Sequence, residues 1–381
     1  MSKRIFVLGG AGNMGSELTR ALLAFEDVSE VAIGEVNRAA AECLATELND
    51  PRVKVVAADV THTEETAKKV RDYDVLMNAT YFGFFDAALR VACQASINYA
   101  DLISEPTPEQ AERARQVGIT ALSGLGCTPG LSNVLARHGA DRLDETEEIH
   151  IHWASFRTVA PSEGLIDTII WELAAECPTR QYYLNGRFVV VPPFHGSKLV
   201  RFAEPVGEQV VYFMPHTETV SLAQNIPGVK YVSVRGTWRP ELMDDFRTLN
   251  RYGLLDPAQV DVAGKKAVVA DVVRKRMWQT HGGRTDQQLW GFFLNVEVLG
   301  RRAGNRRRSV MNASHPVEWR ERSTAKMTGI PAAVGAVLLA RHGRKKAGIT
   351  YPEEYYDPDE FLRELARFQS IRIEESSEEV S

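Results

Sequence analysis

Short, uninterrupted apolar runs alternate with amphipathic stretches over the first third of the chain. Ile5-Phe6-Val7-Leu8 is wholly apolar and stops at Gly9-Gly10. A run of that length bounded by glycine predicts a strand buried on both faces, as in a parallel sheet. From Met14 the apolar positions are Met14, Leu18, Ala21, Leu22 and Phe25, a helical spacing with Ser16, Glu17, Thr19 and Arg20 opposite. The alternation continues with strands predicted at 31–33, 53–57, 74–78, 98–101 and 119–123, and helices at 38–48, 64–71, 85–95 and 106–117. It predicts an α/β fold over 1–130: a Rossmann-type, doubly wound parallel sheet.

Beyond the loop at Gly124, Gly126, Pro129 and Gly130 the pattern changes. A helix at 131–138 leads into alternating or β-branched runs at 148–154, 187–191, 209–213 and 231–236. Residues 291–302 and 306–314 flank Ala303-Gly304-Asn305 and read as a long hairpin. Helices are predicted at 165–177, 240–251 and 257–276. These elements predict a second, α+β domain over 131–323 with a largely antiparallel sheet. A small-residue apolar helix within 324–345 is expected to fold back onto the first domain. Residues 346–381 are expected to supply a polar C-terminal helix and a frayed, Glu-rich tail.

Length and charge narrow the class. The 381 residues suit two or three domains, and the net charge of −5 argues against nucleic-acid or membrane-surface partners. No run of about 18 apolar residues is evident, so no membrane span is expected. Cys43, Cys93, Cys127 and Cys177 are scattered, with no C-x-x-C pair, which suits a reduced, cytoplasmic protein. No H-E-x-x-H motif or ligand cluster points to a metal.

Gly10-Ala11-Gly12-Asn13-Met14-Gly15 matches G-x-G-x-x-G directly after a predicted strand and at the opening of a helix. In that context Gly10 serves a tight turn, Gly12 admits a pyrophosphate and Gly15 lets helix and strand approach. The helix N-terminus adds free N–H groups and partial positive charge. Glu35 lies 20 residues past Gly15, where a carboxylate binds the adenosine ribose and repels the 2′-phosphate of NADP. NAD is therefore the expected cofactor; Arg38 nearby keeps NADP open. Asp59 and Val60 are expected to flank the adenine, and Asn78, Ala79 and Thr80 to follow the ribose and nicotinamide.

Several segments resemble the saccharopine dehydrogenase-like family, and most of all its lysine 6-dehydrogenases. Besides the glycine loop they are Asn98-Tyr99-Ala100-Asp101-Leu102, Gly126-Cys127-Thr128-Pro129-Gly130-Leu131-Ser132-Asn133 and Ser162-Glu163-Gly164-Leu165-Ile166-Asp167. His216-Thr217-Glu218, Ile226-Pro227-Gly228-Val229-Lys230 and Thr328-Gly329-Ile330-Pro331-Ala332-Ala333 complete the set. The resemblance implies a Rossmann domain, an α+β domain that also forms a homodimer, and NAD(P)-linked oxidation or formation of an amine C–N bond. A lysine 6-dehydrogenase-like activity would remove hydride from the ε-carbon of lysine and release ammonia. Saccharopine- or carboxynorspermidine-type enzymes join or split two larger pieces by the same chemistry, and a dinucleotide-binding protein without turnover is a third reading. The chain departs from the family in the additional Gly9, in Gly34-Glu35, in Phe84-Phe85 and in Trp153 to Pro161.

Amine oxidation needs a proton acceptor, a fixed carbon–nicotinamide geometry and, for an amino acid, a carboxylate clamp. Asp101, at the end of a predicted strand, is expected to anchor the substrate ammonium or act as acid/base; a loop-capping aspartate is the alternative. His216 and Glu218, two apart on an extended segment, would share a face as a base and its carboxylate. Arg157, Arg235 and Lys326 are clamp candidates, since a cationic side chain matches a carboxylate. Thr128 and Thr328 are expected in loops beside glycines, within reach of ligand. His150 and His152 read as a solvated strand face, and the arginines at 301–302 and 306–308 as a solvated sheet edge.

Overall fold

The computed structural model describes residues 2–159, 162–283 and 290–380. The chain divides into two compact units. The first contains residues 1–138 and 325–369; the second contains 139–324 and 370–381. The first unit therefore reaches past the expected limit of 130 and takes in 346–369 as well.

In the first unit β1 (Lys3–Leu8), α1 (Asn13–Leu22), β2 (Val28–Glu35), α2 (Arg38–Leu48), β3 (Val53–Ala57), α3 (Thr63–Val70) and β4 (Val75–Asn78) alternate. They continue through α4 (Phe85–Ala95), β5 (Asn98–Asp101), α5 (Pro108–Val117), β6 (Thr120–Leu122) and α6 (Leu131–Ala140). All pairs in the sheet are parallel, and the order runs β3-β2-β1-β4-β5-β6, reversing direction between β1 and β4. Ligands of open parallel sheets bind outside the carboxyl ends of the strands at such a reversal. Phe6, Leu76, Tyr99 and Ala121 bury one side of the sheet against α4, whose Ala88, Leu89 and Ala92 are fully buried.

The second unit begins with β7 (Glu145–Phe156), α7 (Glu163–Leu173), β8 (Gln181–Leu184), β9 (Arg187–Val190), β10 (Lys198–Arg201) and β11 (Glu208–Phe213). It continues with α8 (Glu218–Asn225), β12 (Tyr231–Trp238), α9 (Pro240–Arg251), β13 (Gln259–Val262), β14 (Lys265–Val268), α10 (Val269–His281), β15 (Gly291–Arg302) and β16 (Asn305–Ser314). The chain then returns to the first unit with α11 (Ser323–His342), β17 (Gly348–Thr350), α12 (Pro352–Tyr355) and α13 (Pro358–Leu365). β17 adds a seventh parallel strand beside β6. Last comes β18 (Arg372–Glu379).

The second unit's main sheet runs β10-β11-β12-β7-β15-β16-β18, antiparallel except for the parallel pair β12–β7. Two sequence expectations fail here. The segment expected as one helix at 257–276 is a hairpin followed by α10, because Val260 and Val262 alternate with polar residues and Ala263 and Gly264 turn the chain with positive φ. The Glu-rich tail is strand β18, antiparallel to β16. Arg307 reaches Glu379 at 3.5 Å, and Arg308 reaches Glu378 at 2.8 Å and Glu297 at 3.0 Å. The arginine-rich strand is thus covered by acids some 70 residues away, and is no open edge.

Helix α11 matches its expected span and place. The stretch at 317–342 is long and apolar enough to cross a membrane by length and composition alone, but 83% of its apolar window is buried. A Cβ on Gly329 would stand 2.7 Å from Leu18 N, so the small residue is what lets α11 lie against α1.

Candidate active site

β1 delivers the chain into a turn at Gly9, whose φ of +70° and close approach to Ala79 O (2.9 Å from a Cβ there) both demand glycine. The tight turn is therefore at Gly9 and not at Gly10, as expected from the motif. Gly10 serves close packing instead: a Cβ would meet Val7 O at 3.0 Å and Ile33 Cα at 3.3 Å. Gly12 is the N-cap of α1 in an extended conformation, with no side-chain cap, and no acid follows in the first turn. Gly15 abuts the loop so tightly that a Cβ would lie 2.1 Å from Gly9 O. The helix N-terminus at Asn13 and Met14 is left bare and positive, a cradle that fits a diphosphate.

Glu35 ends β2, and its Oε1 accepts from the amides of Val36 and Asn37 at 3.0 and 3.4 Å. Arg38 is drawn away to Glu42 at 2.6 Å. Asp59 lies two residues beyond β3 and caps the next turn by accepting from the Thr61 amide and hydroxyl; these bonds and His62 hold its carboxyl below its ordinary range. The side chain of Val60 is buried in the core with Ala58.

At the end of β4, Asn78 accepts from the amide and hydroxyl of Thr80 and donates to the Tyr99 hydroxyl at 3.1 Å. Ala79 donates its amide to Leu8 O, fixing this loop to the end of β1. Asp101, beside Asn78 in the register, is 1% exposed. It accepts from Ser104 Oγ at 2.7 Å and from the Gly124 amide at 3.0 Å. Burial pushes its carboxyl up to about 6 against these bonds and one from Tyr99. Its carboxylate ties together the loops after β5 and β6. Lys326 and Thr328 also belong to this unit, on α11; Thr328 Cγ2 borders Gly126, so this threonine lies on a helix and not in the expected loop.

In the second unit His216 and Glu218 do meet, although not on a strand: His216 precedes α8 and Glu218 is its first residue. His216 Nδ1 is 3.5 Å from Glu218 Oε2, and Nε2 is 3.4 Å from Glu172 Oε1 on α7. Burial opposes its charge, but Glu218 and Glu172 together raise the imidazole to about 10. At neutral pH it is an imidazolium held between two buried acids, a donor and not the expected base. Its ring stacks on Trp153 at 5.9 Å, which stacks on Phe292 at 6.0 Å and meets Trp238 edge-on at 5.0 Å. Gly236 makes room for the indole, since a Cβ there would be 2.0 Å from the Trp153 ring.

Arg157 lies over Trp238 at 4.3 Å and donates to the carbonyls of Thr158 and Leu165. Burial pulls its guanidinium down to about 9, against Glu172, so it keeps its charge at neutral pH. Arg235 belongs to the opposite face of the same sheet. It pairs in register with His152, bonds Gly196 O, Ser233 and the Tyr231 hydroxyl, and stacks over Phe213. His152 on that face is fully buried and bonded to Asn295 at 2.8 Å, so the expected solvated face is interior; burial lowers its pKa to about 3. Spacing in the sequence does not single out Glu172. Its one signal is a carboxylate inside the otherwise apolar run Ile169-Ile170-Trp171-Glu172-Leu173.

Two family descriptions cover the chain in succession. Residues 5–122 match "Saccharopine dehydrogenase NADP binding domain" and residues 126–371 match "Saccharopine dehydrogenase C-terminal domain". The chain belongs to the saccharopine dehydrogenase family. Among its relatives, the carboxyaminopropylagmatine dehydrogenase of Synechocystis is 24% identical over 93% of this chain and 94% of its own. A carboxynorspermidine synthase of Vibrio cholerae is 25% identical over 82% of this chain and 80% of its own. Apo saccharopine dehydrogenase (L-Glu forming) from Saccharomyces cerevisiae has the same fold, with a TM-score of 0.71 at 16% identity over 99% of this chain and 100% of that one. This saccharopine dehydrogenase family member is an NAD(P)-binding oxidoreductase acting on amine substrates. The bare amides after Gly12 and the carboxylate of Glu35 are the groups that suit the dinucleotide.

Proposed function

We propose that the enzyme forms or splits the C–N bond of a secondary amine that carries a carboxylate, with NAD as the preferred cofactor. The observation that carries this reading is the near-full-length similarity to relatives named for carboxyaminopropylagmatine and carboxynorspermidine, both carboxylated polyamines by name. The bound dinucleotide would accept a hydride from the substrate carbon. Loss of that hydride and of the nitrogen proton leaves an imine, and water splits the imine into an amine and a carbonyl compound. In reverse, an amine condenses with an aldehyde or keto acid, water leaves, and reduction gives the secondary amine. His216, an imidazolium with both N–H groups turned to Glu218 and Glu172, would fix the orientation of those two carboxylates. Asp101 would hold the loops after β5 and β6 in position.

The preference for NAD rests on Glu35, which opposes a 2′-phosphate, and on Arg38, which is engaged with Glu42. The second reading is lysine 6-dehydrogenase-like deamination, supported by the family segments around Asp101 and His216. The deciding experiment supplies the full chain with reduced cofactor and a panel of amines, each with and without an aldehyde or keto acid. Oxidised cofactor with single amino acids is the second arm. Oxidation of reduced cofactor only when both partners are present supports coupling. Reduction with lysine alone supports deamination. Cofactor binding without turnover in either arm defeats both.

A further inference from the structure

We propose that Glu353 is a positioning residue for the reaction on the amine: through Asn133 it locks the turn at 126–130, and that turn presents the Thr128 hydroxyl to the substrate. Thr128 makes the contact; Glu353 acts through the turn. The inference rests on the amine-oxidoreductase reading and deepens it by giving the loop after β6 a part in substrate binding. Every residue involved belongs to the first unit.

Residues 119–136 carry β6, the loop after it and the start of α6, and all but one of them are buried. The exception is Thr128, half-buried within the turn. Loops ordinarily run over the surface, so a buried loop that lets a single hydroxyl reach outward is built around that group. It stands beyond the carboxyl end of β6, the side of an open parallel sheet where ligands bind. Asp101, at the end of β5, holds the base of the same loop. Gly124 donates to its carboxylate at 3.0 Å, and Leu125 donates to its carbonyl at 2.7 Å.

The turn is closed by its own backbone and pinned from two sides. Gly126 donates to Pro129 O at 2.8 Å, and Leu131 donates to Gly126 O at 2.9 Å. Gly130 has φ +128°, and a Cβ there would lie 2.3 Å from Gly126 N, so glycine is what lets the two ends meet. On one side the turn abuts α11, where Thr328 Cγ2 would be 3.0 Å from a Cβ on Gly126. On the other, the Gly130 amide donates to Asn133 Oδ1 at 2.9 Å, and Asn133 Nδ2 donates to Glu353 Oε2 at 2.8 Å. Asn133 and Glu353 are each 1% exposed. A side-chain amide can present either end, but Gly130 needs an acceptor and the Glu353 oxygen needs a donor. Glu353 therefore fixes which way Asn133 points, and with it the Gly130 N–H. This acid lies 220 residues further along the chain. Strand β17 brings it in: Ser123 donates to Thr350 O at 3.0 Å, which seats α12 beside the end of β6. A stitch made for stability alone would not need a hydroxyl reaching out of the turn it holds.

The test uses the full chain, the amine that turns over in the panel above, and a double-mutant cycle. Asn133→Asp removes the donor and sets two carboxyl groups face to face, so kcat/KM per folded enzyme should fall at least about tenfold. Glu353→Gln supplies a donor in return. Combined with Asn133→Asp it should restore at least about fivefold of that loss, whatever it costs by itself. Amide hydrogen exchange reads the turn directly: Gly126, Gly130 and Ser132 should exchange at least about tenfold faster in Asn133→Asp and slow again in the double variant. Where Asn133→Asp does not fold, Glu353→Ala gives the same readings. Thr128→Val keeps the size and removes the hydroxyl. Its kcat/KM should fall at least about tenfold with Tm and cofactor affinity unchanged, and Thr128→Ser should stay within about threefold of wild type. A lowered Tm with wild-type kcat/KM per folded enzyme in Asn133→Asp, no coupling in the cycle, or a wild-type rate in Thr128→Val overturns the proposal. The two readings fail differently. No turnover of any amine brings down the oxidoreductase reading and the proposal with it; full turnover by Thr128→Val brings down the proposal alone.

Discussion

Two alanine substitutions in the glycine loop separate what the loop does for the fold from what it does for the cofactor. Gly12 has φ −68° and ψ 177°, which alanine adopts freely, and a Cβ would meet only Gly9 O, at 3.1 Å. Gly12→Ala should therefore cost no more than about 0.5–1 kcal/mol, the usual loss at an N-cap. That is a fall of at most about 2–4 °C in Tm. The new methyl would stand where a diphosphate must approach the backbone. Losing one charge-assisted hydrogen bond, about 1.5–3 kcal/mol, weakens binding roughly ten- to hundredfold. Gly15→Ala differs. Alanine favours the helix by about 1 kcal/mol, but its Cβ would fall 2.1 Å from Gly9 O, so α1 must move by about 1 Å. Overpacking of that kind costs about 1–3 kcal/mol or more, and stability and binding should fall together. Thermal melts and calorimetry with NAD, NADH, NADP and NADPH decide the matter. Gly12→Ala binding every dinucleotide within twofold of wild type refutes the cradle.

Other predictions follow from charge and packing. Replacing Glu35 by serine should raise NADP affinity at least about tenfold relative to NAD in competition binding, because an anion at the end of β2 no longer opposes the phosphate. His216 titrates near 10 in the folded chain against about 6.5 unfolded, so its stabilisation is complete below pH 6.5 and lost as pH rises towards 10. The urea midpoint of wild type should accordingly converge on that of His216→Gln over that window, and a gap independent of pH would mean a neutral imidazole. Asp101 is raised to about 6 by burial, so the folded state holds its proton more tightly and wild type should lose stability between about pH 4 and 6. Asp101→Asn, measured by chemical denaturation, should not show that loss. Gly236→Ala, with its Cβ 2.0 Å from the Trp153 ring, should destabilise the chain by about 1–3 kcal/mol in the same assay.

The first unit was legible in the sequence because strands of a covered parallel sheet are continuous apolar runs and the intervening helices are amphipathic. Helices α2 and α4 and strands β3 and β5 have the bounds that periodicity predicts. Legibility failed where structure depends on partners distant in sequence. Val260 and Val262 were absorbed into a longer helical pattern because the turn at Ala263-Gly264 sits inside it. The acids of β18 look like a solvated tail until the arginines of β16 lie across from them. His216 and Glu218 are neighbours in sequence and meet in the fold, but Glu172 joins them from another helix. Arg157 and Arg235 look equivalent as residues, and the alternation of the sheet puts them on opposite faces.

Both units are sewn from separated stretches of chain. A nascent polypeptide that has emerged only through Thr324 lacks α11 and β17 of the first unit and β18 of the second. Until then Gly329 is not seated on α1, and the unpaired flank of β16 is a sticky template for other strands. Synthesis of this enzyme thus imposes a waiting period in which two half-built bodies coexist on the ribosome. Early truncation should yield aggregates and not a working half.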